Sequence, residues 1–139
     1  MMENRIELLA SVMALSKLGV AAAMINTSLT GRSLAHCISI TGSSICLFRE
    51  ERLAAIDEVR GGLELDDGAY LFVPDSGDVA APEWSRDLSQ LAQEASDSNL
   101  PETAEVTLGD TVLNIFTSGT TGLPKAAVVS NRRLLISAG

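Results

Sequence analysis

An α/β fold built on a parallel sheet with crossover helices is what this sequence predicts, on three observations. Short, continuously apolar runs recur, as VAAAMIN, SICLF and AYLFVP, the pattern of strands buried on both faces. Between them lie stretches with helical starts and stops. Glycine closes these stretches, at Gly19, Gly42, Gly61 and Gly62, and Pro74 stops the third apolar run; both residues end regular structure through their backbone geometry. Strand alternating with helix implies parallel pairing, and the crossovers of such units are right-handed.

Met2 to Leu18 reads as the first helix. Ile6, Leu9, Val12 and Met13 fall near one face, Glu3 and Glu7 come early, Lys17 comes late, and Gly19 stops it, in keeping with the helix dipole. The apolar stretch from Leu8 to Ile25 borders on a membrane span, which needs about 20 predominantly apolar residues. Ser11, Ser16, Lys17 and Gly19 interrupt it, so a buried helix followed by a strand from Val20 to Ile25 is the preferred reading and a span the alternative. Glu3 and Glu7 stand where a signal peptide carries basic residues, which excludes that assignment.

Ser33 to Ile40 reads as a helix ended by Gly42, and SICLF as the second strand. Glu51 to Val59 follows as a helix, then AYLFVP as the third strand, stopped by Pro74. Pro82 to Ala95 is predicted to be one helix, with proline near its N-terminus, where the missing N–H costs nothing. Asp97 to Asp110 breaks the rhythm and reads as a long polar surface connection. TVLNIFTS and KAAVVS then flank GTTGLP, and a last helix is predicted from Asn131.

The composition narrows the function classes. Hydrophobic residues make up 46%, ordinary for a packed core and incompatible with bulk disorder. The formal net charge is -8, with most acids between Glu50 and Glu105. That argues against a nucleic-acid surface, which needs clustered Lys and Arg, and against docking by charge onto an anionic membrane. The acidic middle reads as a solvated face. Cys37 and Cys46 are the two cysteines and lie in no CxxC spacing. His36 beside Cys37 suggests a metal pair, but neighbouring residues on a helix point apart. Two free thiols in a reducing compartment is the reading adopted.

The informative run is Thr117-Ser118-Gly119-Thr120-Thr121-Gly122-Leu123-Pro124-Lys125. Four hydroxyl residues and two glycines precede a lysine at the end of an apolar strand. Gly119 and Gly122 permit backbone angles that let several N–H groups converge. The hydroxyls are rotatable donors, and Lys125 is a compact positive charge, so a polyphosphate suits the set. An ordinary turn uses the same residue types. The spacing is not that of the NTPase P-loop, which needs GxxxxGK followed by Ser or Thr, because Ala126 follows the lysine here.

In its residue order this run resembles the phosphate-binding loop of the adenylate-forming (AMP-binding) superfamily, TSGTTGxPK, at every fixed position. MINTSLTGRSLAHCI, from Met24 to Ile38, is similar to a stretch of the fatty acid transport protein and very-long-chain acyl-CoA synthetase family. So are MENRIELL, KLGVAAAMIN, the Ala126-Ala127 pair and the Arg132-Arg133 pair. The resemblance runs from near Met2 to near Gly139, strongest at the two ends.

The resemblance implies part of the large N-terminal domain of an adenylate-forming enzyme, with residues 1–139 a partial AMP-binding domain truncated at both ends. It implies a ligase that joins a fatty acid to coenzyme A through an acyl-adenylate, with ATP and Mg²⁺ consumed or used on the way. Thr117, Ser118, Gly119, Thr120, Thr121, Gly122 and Lys125 would line the triphosphate, with Thr117, Ser118, Thr120 and Lys125 the most direct contacts. In that family the adenine and ribose contacts, the Mg²⁺-holding acid, the acyl tunnel and the late catalytic lysine all lie downstream of the loop. No catalytic residue or metal ligand is therefore assigned within this chain, coenzyme A would be met by other parts, and the isolated chain is expected to be inactive. Where many relatives place His after the strand following the loop, near the acyl carboxylate, this sequence has Asn131. The complete enzyme is expected inside the cell, cytoplasmic or peripheral to an intracellular or plasma membrane, with trapping of the thioester as a route to fatty acid uptake. The alternative is a chain without ligase activity that persists as an interaction module.

Overall fold

The computed structural model describes residues 1–75, 79–117 and 123–138. In chain order its elements are α1 (Ile6–Lys17), β1 (Ala22–Met24), α2 (Gly31–Ile40), β2 (Cys46–Arg49), α3 (Leu53–Arg60), β3 (Tyr70–Val73), β4 (Ser85–Asp87), α4 (Leu88–Glu94), β5 (Thr111–Thr117), β6 (Lys125–Ser130) and α5 (Asn131–Ala138), with short 3-10 turns at Glu50–Arg52 and Pro101–Ala104. They divide into two compact units. One comprises Met1–Met2 and Ile25–Asp97, the other Glu3–Met24 and Ser98–Gly139.

The first unit is a three-stranded sheet in the order β2-β3-β4, with both pairings parallel. Its register sets Cys46 beside Tyr70 and Phe48 beside Phe72. Because strand side chains alternate between faces, these four share one face, and all four are buried. Leu34, Cys37 and Ile38 of α2 recur at helical spacing and are buried, as are Ala55, Ile56 and Val59 of α3. Leu34, Ile38, Ala55, Ile56 and Val59 pack with the four strand residues into a single core. The charged residue at the end of β2, Arg49, is 4% exposed. It is tolerated there because its charge is met by Asp75 and, at 3.5 Å, by Glu51.

The single helix expected from Pro82 to Ala95 is instead a strand followed by a helix. Trp84 decides this. Its ring stacks on Phe48 with centroids 5.4 Å apart and meets Tyr70 edge-on at 5.2 Å, which draws the segment onto the sheet, where β4 pairs with β3. The helix then starts later, because the Asp87 carboxylate accepts from the Ser89 and Gln90 backbone N–H groups and so acts as its N-cap.

The second unit holds α1, α5 and a sheet in the order β1-β5-β6. β1 and β5 are parallel, with Ala22 beside Leu113 and Met24 beside Ile115. β6 departs from the all-parallel expectation and pairs antiparallel with β5. The reason is reach: a parallel return needs a crossover of a dozen or more residues, and only the seven residues 118–124 separate the two strands. Gly19 and Gly42 end α1 and α2 with φ of +67° and +57°, the left-handed conformation glycine adopts without strain. α1 buries none of its residues, and Ile6, Leu9 and Met13 are all exposed. Among the described residues, no helix is long and apolar enough to cross a membrane.

Candidate functional site

β5 carries Thr111, Val112, Ile115 and Phe116, residues whose branched or aromatic side chains suit a pleated surface. It is the central strand of its sheet, and Val112 is 1% exposed. The TSGTTGLPK run leaves from its C-terminal end, the end of a parallel strand at which open α/β sheets take their ligands. β6 brings the chain back, so that Thr117 and Lys125 face each other across the hairpin as a cross-strand pair. The Thr117 hydroxyl donates to the Lys125 carbonyl at 3.4 Å. Leu123 and Pro124 are half-buried and Lys125 is exposed.

Thr117 and Lys125, the first and last of the seven assigned residues, are thus brought together. Ser118, Gly119, Thr120, Thr121 and Gly122 lie outside the described residues. What the hairpin provides is a base of two strands paired from Thr111–Ser130 up to Thr117–Lys125, with the Thr117 hydroxyl bonded to the Lys125 backbone at the top.

The opposite end of this hairpin is tied down by Asn131. Its side-chain amide nitrogen donates to the Thr107 carbonyl at 3.0 Å, and its amide oxygen accepts from the Ser16 hydroxyl at 3.4 Å. Its backbone N–H donates to the Asp110 carbonyl at 3.0 Å, and the next N–H, of Arg132, to that of Leu108 at 3.0 Å. The Asp110 carboxylate in turn accepts from the Thr107 N–H at 2.6 Å. The whole of β6 lies between Lys125 and Asn131, roughly 20 Å at the rise of an antiparallel strand. The sequence pointed to Asn131 only as a departure from a family pattern. The participation of Ser16 and of the Thr107–Asp110 turn went unread, although Thr-Leu-Gly-Asp is a turn signature.

His36 and Cys37 lie on α2, with Cys37 buried. Burial pushes the Cys37 and Cys46 thiols above their ordinary pKa, since the low-dielectric interior disfavours the thiolate. Among the described residues, no three His, Cys, Asp or Glu side chains are grouped so that they could hold a metal ion.

A family model described as "AMP-binding enzyme" matches residues 1–139, the whole of the chain. The chain belongs to the AMP-binding enzyme family. Similar curated members include long-chain fatty acid transport protein 1 of Homo sapiens, 36% identical over 135 residues that cover 95% of this chain and 20% of that protein. Long-chain fatty acid transport protein 6 of Mus musculus is 37% identical over 123 residues, 87% of this chain and 19% of that one. The medium/long-chain-fatty-acid–CoA ligase FadD6 of Mycobacterium tuberculosis is 30% identical over 138 residues, 97% and 21% of the two chains. The chain spans about a fifth of the length of these AMP-binding relatives. Among solved structures, an anthranilate CoA ligase, AuaEII, in complex with anthranoyl-AMP superposes with a TM-score of 0.82 at 22% identity, over 95% of this chain and 24% of that one. A Mycobacterium tuberculosis fatty acyl CoA synthetase does so with a TM-score of 0.67 at 20% identity, over 92% and 22%. The fold is therefore that of AMP-binding enzymes.

Proposed function

We propose that this chain is part of the AMP-binding domain of an ATP-dependent fatty acyl-CoA ligase and supplies its grip on the ATP phosphates. The reaction joins a long- or very-long-chain fatty acid to coenzyme A. The carboxylate attacks the α-phosphate of ATP, pyrophosphate leaves, and the thiol then displaces AMP from the acyl-adenylate. The observation that carries this reading is the TSGTTGLPK run emerging from the C-terminal end of β5, with Thr117 paired to Lys125. Names of relatives that are fatty acid transport proteins or fatty-acid–CoA ligases support the acid as substrate.

The work of this segment is electrostatic. Thr117, Ser118, Thr120 and Lys125 would hold the β- and γ-phosphates as hydrogen-bond and charge donors, with Thr121 and the backbone at Gly119 and Gly122 completing the cradle. Donors fixed in advance cost no reorganisation when charge moves onto the departing pyrophosphate. Mg²⁺ neutralises phosphate charge in such reactions; among the described residues no three His, Cys, Asp or Glu side chains are grouped to hold it. Coenzyme A and the acyl chain would be met by other parts of the enzyme. An intracellular location follows from these substrates, in the cytoplasm or at the surface of a membrane that supplies the acid.

Lys125 tests the reading in a complete enzyme carrying this segment. A charge-assisted hydrogen bond contributes roughly 1.5–3 kcal/mol. Lys125→Ala is therefore expected to slow adenylation about ten- to a hundredfold. Thioester formation from preformed acyl-adenylate should change far less, because pyrophosphate has already left. Equal losses in the two half-reactions would defeat the assignment.

A further inference from the structure

The register of the β5–β6 hairpin has no obvious origin in burial. A strand with one buried face fixes its own register, because a one-residue slip would turn its apolar set outward. β6 lacks that signal: Ala126, Ala127, Val128 and Val129 are apolar in succession, and Lys125 to Val128 are all exposed. β5 moreover carries an irregularity between Thr111 and Leu113, where its pairing with Ser130 and Val129 skips a residue. An extra residue of this kind changes which side chains stand opposite each other all the way up the hairpin. Something at the base must choose one register.

The Asn131 side chain is placed to do so. It follows β6 directly, donates to the Thr107 carbonyl and accepts from Ser16 of α1. Thr107 belongs to the turn that leads into β5, and that turn is closed by the Asp110 carboxylate on the Thr107 N–H and by Thr107 Oγ1 on the Gly109 N–H. α1 leads in turn into β1, the parallel neighbour of β5. One amide thus joins the end of β6 to the turn that precedes β5, its sole strand neighbour among the described residues, and to the helix that precedes β1. We propose that Asn131 is a positioning residue: it holds the hairpin in the single register that keeps Thr117 opposite Lys125. Its link to phosphate rests on the function proposed above, whereas its hold on the register does not.

The test uses the 139-residue chain with three variants. Asn131→Asp keeps the shape and the acceptor but removes the N–H donor, Asn131→Ala removes both, and Asn131→His restores a donor at a similar distance from the backbone. Two quantities are read by NMR: the cross-strand nuclear Overhauser effect between Thr117 and Lys125, and the shift of the Lys125 amide on titration with inorganic tripolyphosphate. In Asn131→Asp and Asn131→Ala the Overhauser effect is expected to vanish and the response to tripolyphosphate to weaken about tenfold, with both retained in Asn131→His. An undiminished Overhauser effect in Asn131→Ala, or its equal disappearance from all three variants, would overturn the proposal. If it vanishes from Asn131→Asp and Asn131→Ala while the tripolyphosphate response stays unchanged, the hold on the register stands and its link to phosphate falls. No tripolyphosphate response in the unaltered chain, with its Overhauser effect present, would count against the phosphate reading and leave the hold on the register to be decided by the Overhauser effect in the variants.

Discussion

Lys125 is exposed at the top of a hairpin, and the shape of its charge matters as well as its sign. An ammonium is a point charge that can approach several phosphate oxygens, while a guanidinium is a planar fork. Lys125→Arg is accordingly expected to recover only part of the adenylation lost in Lys125→Ala, measured as pyrophosphate release in the complete enzyme; full recovery would show that charge alone suffices. The cysteines make a second prediction at this scale. Cys37 and Cys46 are buried and free, and burial raises both thiol pKa values. Because the native values lie above those of the unfolded chain, their contribution to stability is present below about pH 8.5 and is lost as pH rises beyond it. At pH 8 both should react with a thiol reagent only at the rate of unfolding. Rapid labelling of either in the native chain would contradict their burial. The loop residues are proposed from the sequence alone, because the motif depends on their order; of the seven, only Thr117 and Lys125 lie among the described residues. The partners of Asn131 were not legible there, since Ser16 and Thr107 stand far from it along the chain.

Among the elements, the sheet β2-β3-β4 depends on an aromatic layer. Phe48 is fully buried, with its ring 5.6 Å from that of Phe72 and stacked on Trp84. Phe48→Ala should cost about 3–5 kcal/mol, the usual range for emptying such a site. Tyr70 gives the contrasting case. Its hydroxyl is buried and, among the described residues, has no hydrogen-bond partner. Tyr70→Phe removes that burden and should leave stability unchanged or raise it by about 1 kcal/mol. Both can be measured by urea unfolding followed through Trp84, the chain's only tryptophan. A loss above ~1 kcal/mol in Tyr70→Phe would reveal a hydrogen bond that geometry does not show. β1, β2, β3, β5 and β6 were readable from apolar runs. β4 was not, because Ser85, Arg86 and Asp87 carry no apolar pattern, and only the packing of Trp84 makes them a strand.

As a molecule, this chain corresponds to about a fifth of the AMP-binding proteins it resembles. Holding a carboxylate in line with the α-phosphate is worth ~7–11 kcal/mol of barrier in well-oriented reactions, and the phosphate loop proposed for this chain would supply little of that alignment. The purified 139-residue chain, given ATP, Mg²⁺, coenzyme A and a long-chain fatty acid, is therefore expected to form no acyl-CoA. Pyrophosphate release above a protein-free control would refute this. Unfolding carries a related expectation. The two units have separate sheets, so Trp84 fluorescence reports on the first unit, and hydrogen exchange in β5 and β6 reports on the second.

The sequence alone determined the alternation of strand and helix, the glycine stops and the TSGTTGLPK run on which the proposed phosphate site rests, because each depends on residues adjacent in the chain. Burial periodicity, left-handed glycine and a donor-rich turn are all local signals. Tertiary structure alone decided that the strands fall into two sheets, that β6 runs antiparallel, that Trp84 recruits β4, and that Asn131 closes the base of the hairpin. Those outcomes depend on which distant side chains meet, and on whether seven residues can span a crossover. Physical reach and packing settle such questions, and neither is written in any single stretch of residues.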